Sequence, residues 1–120
     1  MLDHIGITVA DYERSKAFFE QALAPLRYEL LMEIEGWAGF GVDGKPEFWI
    51  INANPAAPIH IAFRCPDRKG VDEFYRAALA AGGRDNGAPG LRTHYHPNYY
   101  GAFIHDPDGN NIEAVCHDRE

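Results

Sequence analysis

Apolar and polar residues alternate at the start of the chain, with Ile5, Ile7 and Val9 set against His4, Gly6 and Thr8. A period of two predicts a strand with the apolar side chains on one face and His4 on the other. The same pattern returns 56 residues on, where Ile61, Phe63 and Cys65 alternate with His60, Ala62 and Arg64. In both places an aspartate follows, Asp11 and then Asp67, and the period lengthens. In the second copy Val71, Phe74, Tyr75, Ala78 and Leu79 fall at i, i+3, i+4, i+7 and i+8, an apolar helical stripe. The first copy places Phe18, Phe19, Ala22 and Leu23 comparably. Helices are therefore predicted over about 12–24, with Asp11 as N-cap and Pro25 as its stop, and about 68–82, ended by Gly82-Gly83. Seven of the 21 residues from 4 to 24 recur identically at this offset, which marks a duplicated unit.

Three further strands are predicted behind the first helix, over 27–34, 36–42 and 47–52, with Asp43-Gly44 as a hairpin turn. Residues 54–58, Asn-Pro-Ala-Ala-Pro, read as a linker. Behind the second helix, 84–98 is broken by Asn86-Gly87, Pro89-Gly90 and Pro97, and one short strand is expected near 91–95. The chain ends in a hairpin, 100–105 and 111–116, around Asp106-Pro107-Asp108-Gly109. Each half reads βαβββ. The expected fold class is α+β: two tandem βαβββ modules forming a cupped mixed sheet with the helices on its outer face. One domain is expected over 1–120, with module one at about 1–54 and module two at about 58–117.

A chain of 120 residues can bury roughly 65% of its unfolded surface in one core. Its hydrophobic share of 46% and charged share of 24% are ordinary globular values. The net charge of −7 argues against a nucleic-acid partner, which would need clustered Lys and Arg. No run of 18 apolar residues and no cationic leader occur, so a soluble cytoplasmic protein without a membrane partner is expected. Cys65 and Cys116 lack CxxC spacing and fall in predicted strands, which suits buried, reduced thiols.

Parity directs the chemistry. In the last strand Ile112, Ala114 and Cys116 form the apolar set, so Glu113 shares the helix-free face with His4 and His60. Two imidazoles and a carboxylate on a concave sheet are a donor set for zinc, nickel, manganese or ferrous iron. Glu113 is also the candidate catalytic carboxylate. Glu47 is a possible fourth ligand that counting leaves open. It stands three residues after Gly44, whereas Glu113 stands four after Gly109, and one residue of register changes the face. Trp49, Arg92 and Tyr100 are the candidate substrate-binding residues, Arg92 as the receiver of an anionic group. Arg92, His94 and His96 would share one face of the short strand near 91–95, and an HxH pair can also hold a metal.

The tandem βαβββ units, the opening DHIGITVAD, the central HIAFRC and above all the terminal DPDGNNIEAV resemble the vicinal oxygen chelate superfamily. This is the glyoxalase, bleomycin-resistance and dioxygenase group. The resemblance covers nearly the whole chain. It implies metal ligands at His4, His60 and Glu113, with Glu47 as the candidate for the fourth ligand of a glyoxalase-type site. It further implies a divalent-metal-dependent lyase or isomerase acting on a small oxygen-rich metabolite, in a homodimer whose cleft can draw on both chains. The alternatives are a ferrous-iron dioxygenase on the three-ligand set and a metal-free drug-binding protein. The latter would sequester an aromatic or cationic small molecule between Trp37, Phe40, Trp49 and Tyr100.

Overall fold

The aspartates that follow the two repeated strands do the same work in both copies. In a computed structural model, which describes residues 1–119, Asp11 accepts from the Arg14 amide at 3.2 Å and Asp67 from the Gly70 amide at 2.7 Å. Each thus caps a helix whose first amides have no partner of their own. The helices are α1, Tyr12–Leu23, and α2, Arg68–Ala80. A 3-10 turn, Ala24–Leu26, carries Pro25 beyond α1, and Arg27 closes it in the left-handed region.

The strands of the first module are β1 (Ile5–Val9), β2 (Glu29–Ile34), β3 (Trp37–Val42) and β4 (Lys45–Asn52), in the order β1-β4-β3-β2. β1 lies parallel to β4, and the other pairs are antiparallel. Asp43 and Gly44 both have positive φ, 52° and 77°, as a tight two-residue hairpin turn between β3 and β4 requires. The second module repeats the order with β5 (His60–Arg64), β9 (Asn111–Cys116) and β8 (Tyr100–His105). β6 (Arg84–Asp85) and β7 (Gly90–Leu91) both pair with β8.

These two-residue pieces stand where one strand was expected near 91–95. Beyond Leu91 the chain turns instead, with the Tyr95 amide donating to the Arg92 carbonyl at 2.9 Å. Gly87, Pro89 and Gly90 break the ladder into fragments, and the expected shared face of Arg92, His94 and His96 does not form. His94 lies on the Tyr95 ring, while His96 packs against His117.

One core serves both modules. Phe18, Phe19, Ala22 and Leu23 of α1 and Val71, Phe74 and Ala78 of α2 are all buried. They meet the inward faces of the strands, among them Val9, Phe40, Ile50, Ile104, Ile112 and Ala114. Phe48 sits at the centre, its ring 4.9 Å from Phe19, 6.1 Å from Phe40 and 5.4 Å across the module boundary from Phe63. Cys65 and Cys116 are buried free thiols, and burial pushes the Cys65 thiol up. Among the described residues no helix is long and apolar enough to cross a membrane.

The turn Asp106–Asn110 ties the modules at the opposite end. Asp106, 1% exposed, accepts from the amides of Asp108 and Asn110 and from the Asn110 side chain. Asn110 Oδ1 then accepts from the Ile59 amide at 2.9 Å, just ahead of β5. Asp108 Oδ1 accepts from the Ala10 amide at 3.3 Å, just past β1. The DPDGN segment is thus a structural staple that leads directly into β9 and Glu113.

Because Phe48 touches both modules, Phe48→Ala is expected to cost about 3–5 kcal/mol. Urea unfolding followed by far-UV and near-UV dichroism should show one coincident transition for parent and variant. Two separated transitions would mean that the halves fold independently.

Candidate functional site

With the helices on one side, each sheet keeps one face for other work. On β9 that face carries Glu113, which lies opposite Ala62 of β5 and Phe103 of β8. Its side chain is 1% exposed, so both carboxylate oxygens need partners. Oε1 lies 2.8 Å from Nε2 of His60, and Oε2 accepts from the Tyr99 hydroxyl. The absence of a side chain at Gly101 makes this possible. A Cβ there would stand 3.1 Å from the Tyr99 ring and 3.2 Å from Oε2. Tyr99 is held edge-on by Tyr95 and His117, at 5.1 and 5.2 Å between ring centres. Burial, and then the adjacent Glu113 carboxylate, push the Tyr99 hydroxyl well above its ordinary range. Tyr99 therefore keeps its proton and serves as a donor.

The corresponding face of the first module is arranged differently. His4 precedes β1 and is exposed, with Nδ1 2.6 Å from Asp3. His4, and next Lys45 at 3.3 Å, hold the Asp3 carboxyl below its usual range. The β3/β4 register shifts by one residue near the turn. Phe40 pairs with Phe48 but Gly41 pairs with Pro46, so Glu47 is the extra residue of a β-bulge. Its carboxylate accepts from the Tyr28 hydroxyl at 2.9 Å. Burial, and then Glu47, push that hydroxyl up to about 12. The residue of β4 that holds the place of Glu113 is Trp49, which lies opposite Gly6 and Gly39 just as Glu113 lies opposite Ala62 and Phe103.

A cavity of about 370 Å³ opens between β1, β4 and β5, the first and last being edge strands of their sheets. His4, Tyr28, Glu47, His60, Ala62 and Arg64 are on its wall, and Glu113 adjoins it through His60. The structure thus brings His60 and Glu113 into contact and sets His4 and Glu47 around the same cavity, each turned to another partner. Among the described residues no group of three or more His, Cys, Asp or Glu side chains is placed to hold a metal ion. The donors present are right in kind for a divalent ion, and two of them are already neighbours.

The expected substrate-binding residues are spread more widely. Arg92 donates to the carbonyls of Ala88, Gly90 and Gly101 and lies over the Phe103 ring at 5.3 Å, so it braces the 88–101 loop. Tyr100 shares the parity of Ala102 and Ile104 and faces α2, where it donates to Asp72 at 2.6 Å beneath the Arg68 guanidinium. Phe40 is fully buried in the core. Trp49 is on the helix-free face. Tyr28 and Gly101 carried no sequence signal, because their roles come from contacts across 19 and 12 residues of chain.

Duplicated βαβββ units with an imidazole and a carboxylate side by side on the helix-free face define a class of small two-module α+β proteins. Residues 1–114 match the model of the Glyoxalase/Bleomycin resistance protein/Dioxygenase superfamily, and the chain belongs to that family. A glyoxalase/bleomycin resistance protein from Albidiferax ferrireducens T118 is similar at 27% identity and a TM-score of 0.84, over 97% of this chain and 98% of that one. A glyoxalase/bleomycin resistance protein/dioxygenase family enzyme from Burkholderia phytofirmans PsJN shares the fold at 21% identity and a TM-score of 0.72, over 97% and 98%. So does lactoylglutathione lyase from Agrobacterium tumefaciens, at 16% identity and a TM-score of 0.72, over 97% and 92%. No curated protein matches the chain.

Removing the Tyr99 hydroxyl strands a buried carboxylate oxygen, so Tyr99→Phe is expected to lower stability by about 1–3 kcal/mol. Tyr28→Phe should cost less, because Glu47 is only partly buried and can turn to water. Urea titration of both variants checks the order, and equal losses would argue against a buried Tyr99–Glu113 bond.

Proposed function

We propose that this chain is a divalent-metal-dependent enzyme of the glyoxalase type, a cytoplasmic lyase or isomerase acting on a small oxygen-rich metabolite. The supporting observation is the 2.8 Å contact between His60 and buried Glu113 beside a cavity that His4 also lines. In this reading His4, His60 and Glu113 would hold the ion, and the bound ion supplies Lewis-acid stabilisation of negative charge developing on substrate oxygen. Glu47 stays outside the set, committed by its bulge to Tyr28.

The chain's own residues supply the rest. Glu113, the one carboxylate of the set, would alternate between holding the ion and taking a proton from a carbon next to a substrate carbonyl, which it returns to the neighbouring position. Tyr99 holds Oε2, and Oε1 lies beside His60, the residue through which Glu113 adjoins the cavity. Ala62, opposite Glu113, brings only a methyl group to the cavity wall. A homodimer with a cleft drawn from both chains would bring His4 of one copy toward the His60–Glu113 pair of the other, and so complete what one chain holds in two parts.

One observation favours a second reading. With Glu47 turned away, two histidines and one carboxylate remain, the pattern used for oxygen chemistry on ferrous iron. Chelator-treated protein titrated separately with zinc, nickel, manganese and, under anaerobic conditions, ferrous iron separates the readings. The parent is expected to take up one ion. His60→Ala and Glu113→Gln should bind it about tenfold or more weakly, while Glu47→Gln binds as the parent does. Uptake by a His4→Ala, His60→Ala double variant at the parent's affinity would exclude the metal site. Ferrous-only uptake with oxygen consumption would select the second reading.

A further inference from the structure

The residue facing the cleft from β4 is an indole where its counterpart in the other module is a carboxylate. Trp49 lies over the bare backbone of Gly39, where an added Cβ would come within 2.9 Å of the ring. Trp37 meets it edge to face, at 6.3 Å between centres and 73° between planes, and is itself 47% exposed. With Ile34, Pro46 and Ile51 the two rings line a second cavity of about 590 Å³, within the size range of small-molecule sites. Asp3 and His4 belong to the walls of this cavity and of the one that holds His60 and Glu47. At the rim Lys45 is tied to Asp3 through its carbonyl at 3.0 Å and its carboxylate at 3.3 Å, so the charges there are paired. Such a cleft selects by shape and by the face of a π-system rather than by charge.

We propose that Trp49 and Trp37 form a shelf for a flat aromatic substituent of the substrate, whose oxygen-bearing end lies past His4 beside His60 and Glu113. This names the substrate class of the site proposed above and rests on that reading. The first module, having no carboxylate at the position of Glu113, supplies recognition, and the second supplies the proton-transfer group. The substrate class is then a small oxo or hydroxy compound carrying an aromatic ring, in preference to a purely aliphatic one.

Phenylpyruvate and pyruvate, which share an oxo-acid head and differ by the ring, are suitable probes for the intact protein. Calorimetry and tryptophan emission should show the parent binding phenylpyruvate about tenfold or more tightly than pyruvate. Trp49→Ala should bring the two within about twofold, and Trp49→Phe should retain most of the preference. If Trp49→Ala does not fold, Trp37→Ala at its half-exposed position reads the same loss in part. A parent without the preference, or a folded Trp49→Ala that keeps it, overturns the shelf. Sedimentation adds one more overturning result: a parent dimer that Trp49→Ala dissociates, with no preference between the probes, would assign the face to a second copy of the chain. A preference that survives in His60→Ala, in a parent that takes up no metal, keeps the shelf and rejects only the metal-dependent reading.

Discussion

Phe48 against Phe63 is the aromatic contact at the centre of the core that the two similar halves share. Each ring faces inward from its own sheet, and each sheet brings a helix to the same interior. β1, β3, β4, β5, β8 and β9 thereby commit one of their two faces to the core. Since side chains alternate strictly along a strand, the other face is the one surface left on which polar groups from both modules can gather. His4, His60 and Glu113 occupy it for the same reason that Val9, Phe63 and Ile112 do not.

The halves have diverged on that open face while keeping the same strand order. In the second module an unbroken β8/β9 register sets Glu113 between Ala62 and Phe103, in reach of His60 and Tyr99. In the first, one extra residue in β4 changes the outcome. The bulge turns Glu47 toward Tyr28, and the place symmetric to Glu113 passes to Trp49. A bulge bends its strand and redirects one side chain without disturbing the pairing beyond it. Such a change separates two copies of one unit at little cost to the fold.

Glu113 itself illustrates what burial demands. A carboxylate withdrawn from water loses its hydration, and that loss must be offset by donors held in place. Tyr99 is such a donor. Its ring is wedged between Tyr95 and His117, and Gly101 leaves the space its edge needs. The Asp106–Asn110 turn contributes from further away, since it anchors both β1 and β5 and starts the strand on which Glu113 stands.

Much of this was legible in the order of residues. The duplication, both helices, the Asp11 cap, the Asp43-Gly44 turn, the terminal hairpin and the parity that puts Glu113 opposite Ile112 and Ala114 follow from local patterns written along the chain. Other features have no local signature. That Tyr99 reaches Glu113, that Tyr28 takes Glu47, that Tyr100 turns to Asp72, and that the 84–98 stretch breaks into two short pieces all depend on contacts between distant segments. The sequence by itself determined which faces of the repeated strands and helices are apolar and the order in which those elements follow one another. Only the tertiary structure decided which polar groups meet, because partners on separate strands are chosen by register and packing, and neither is encoded at any one position.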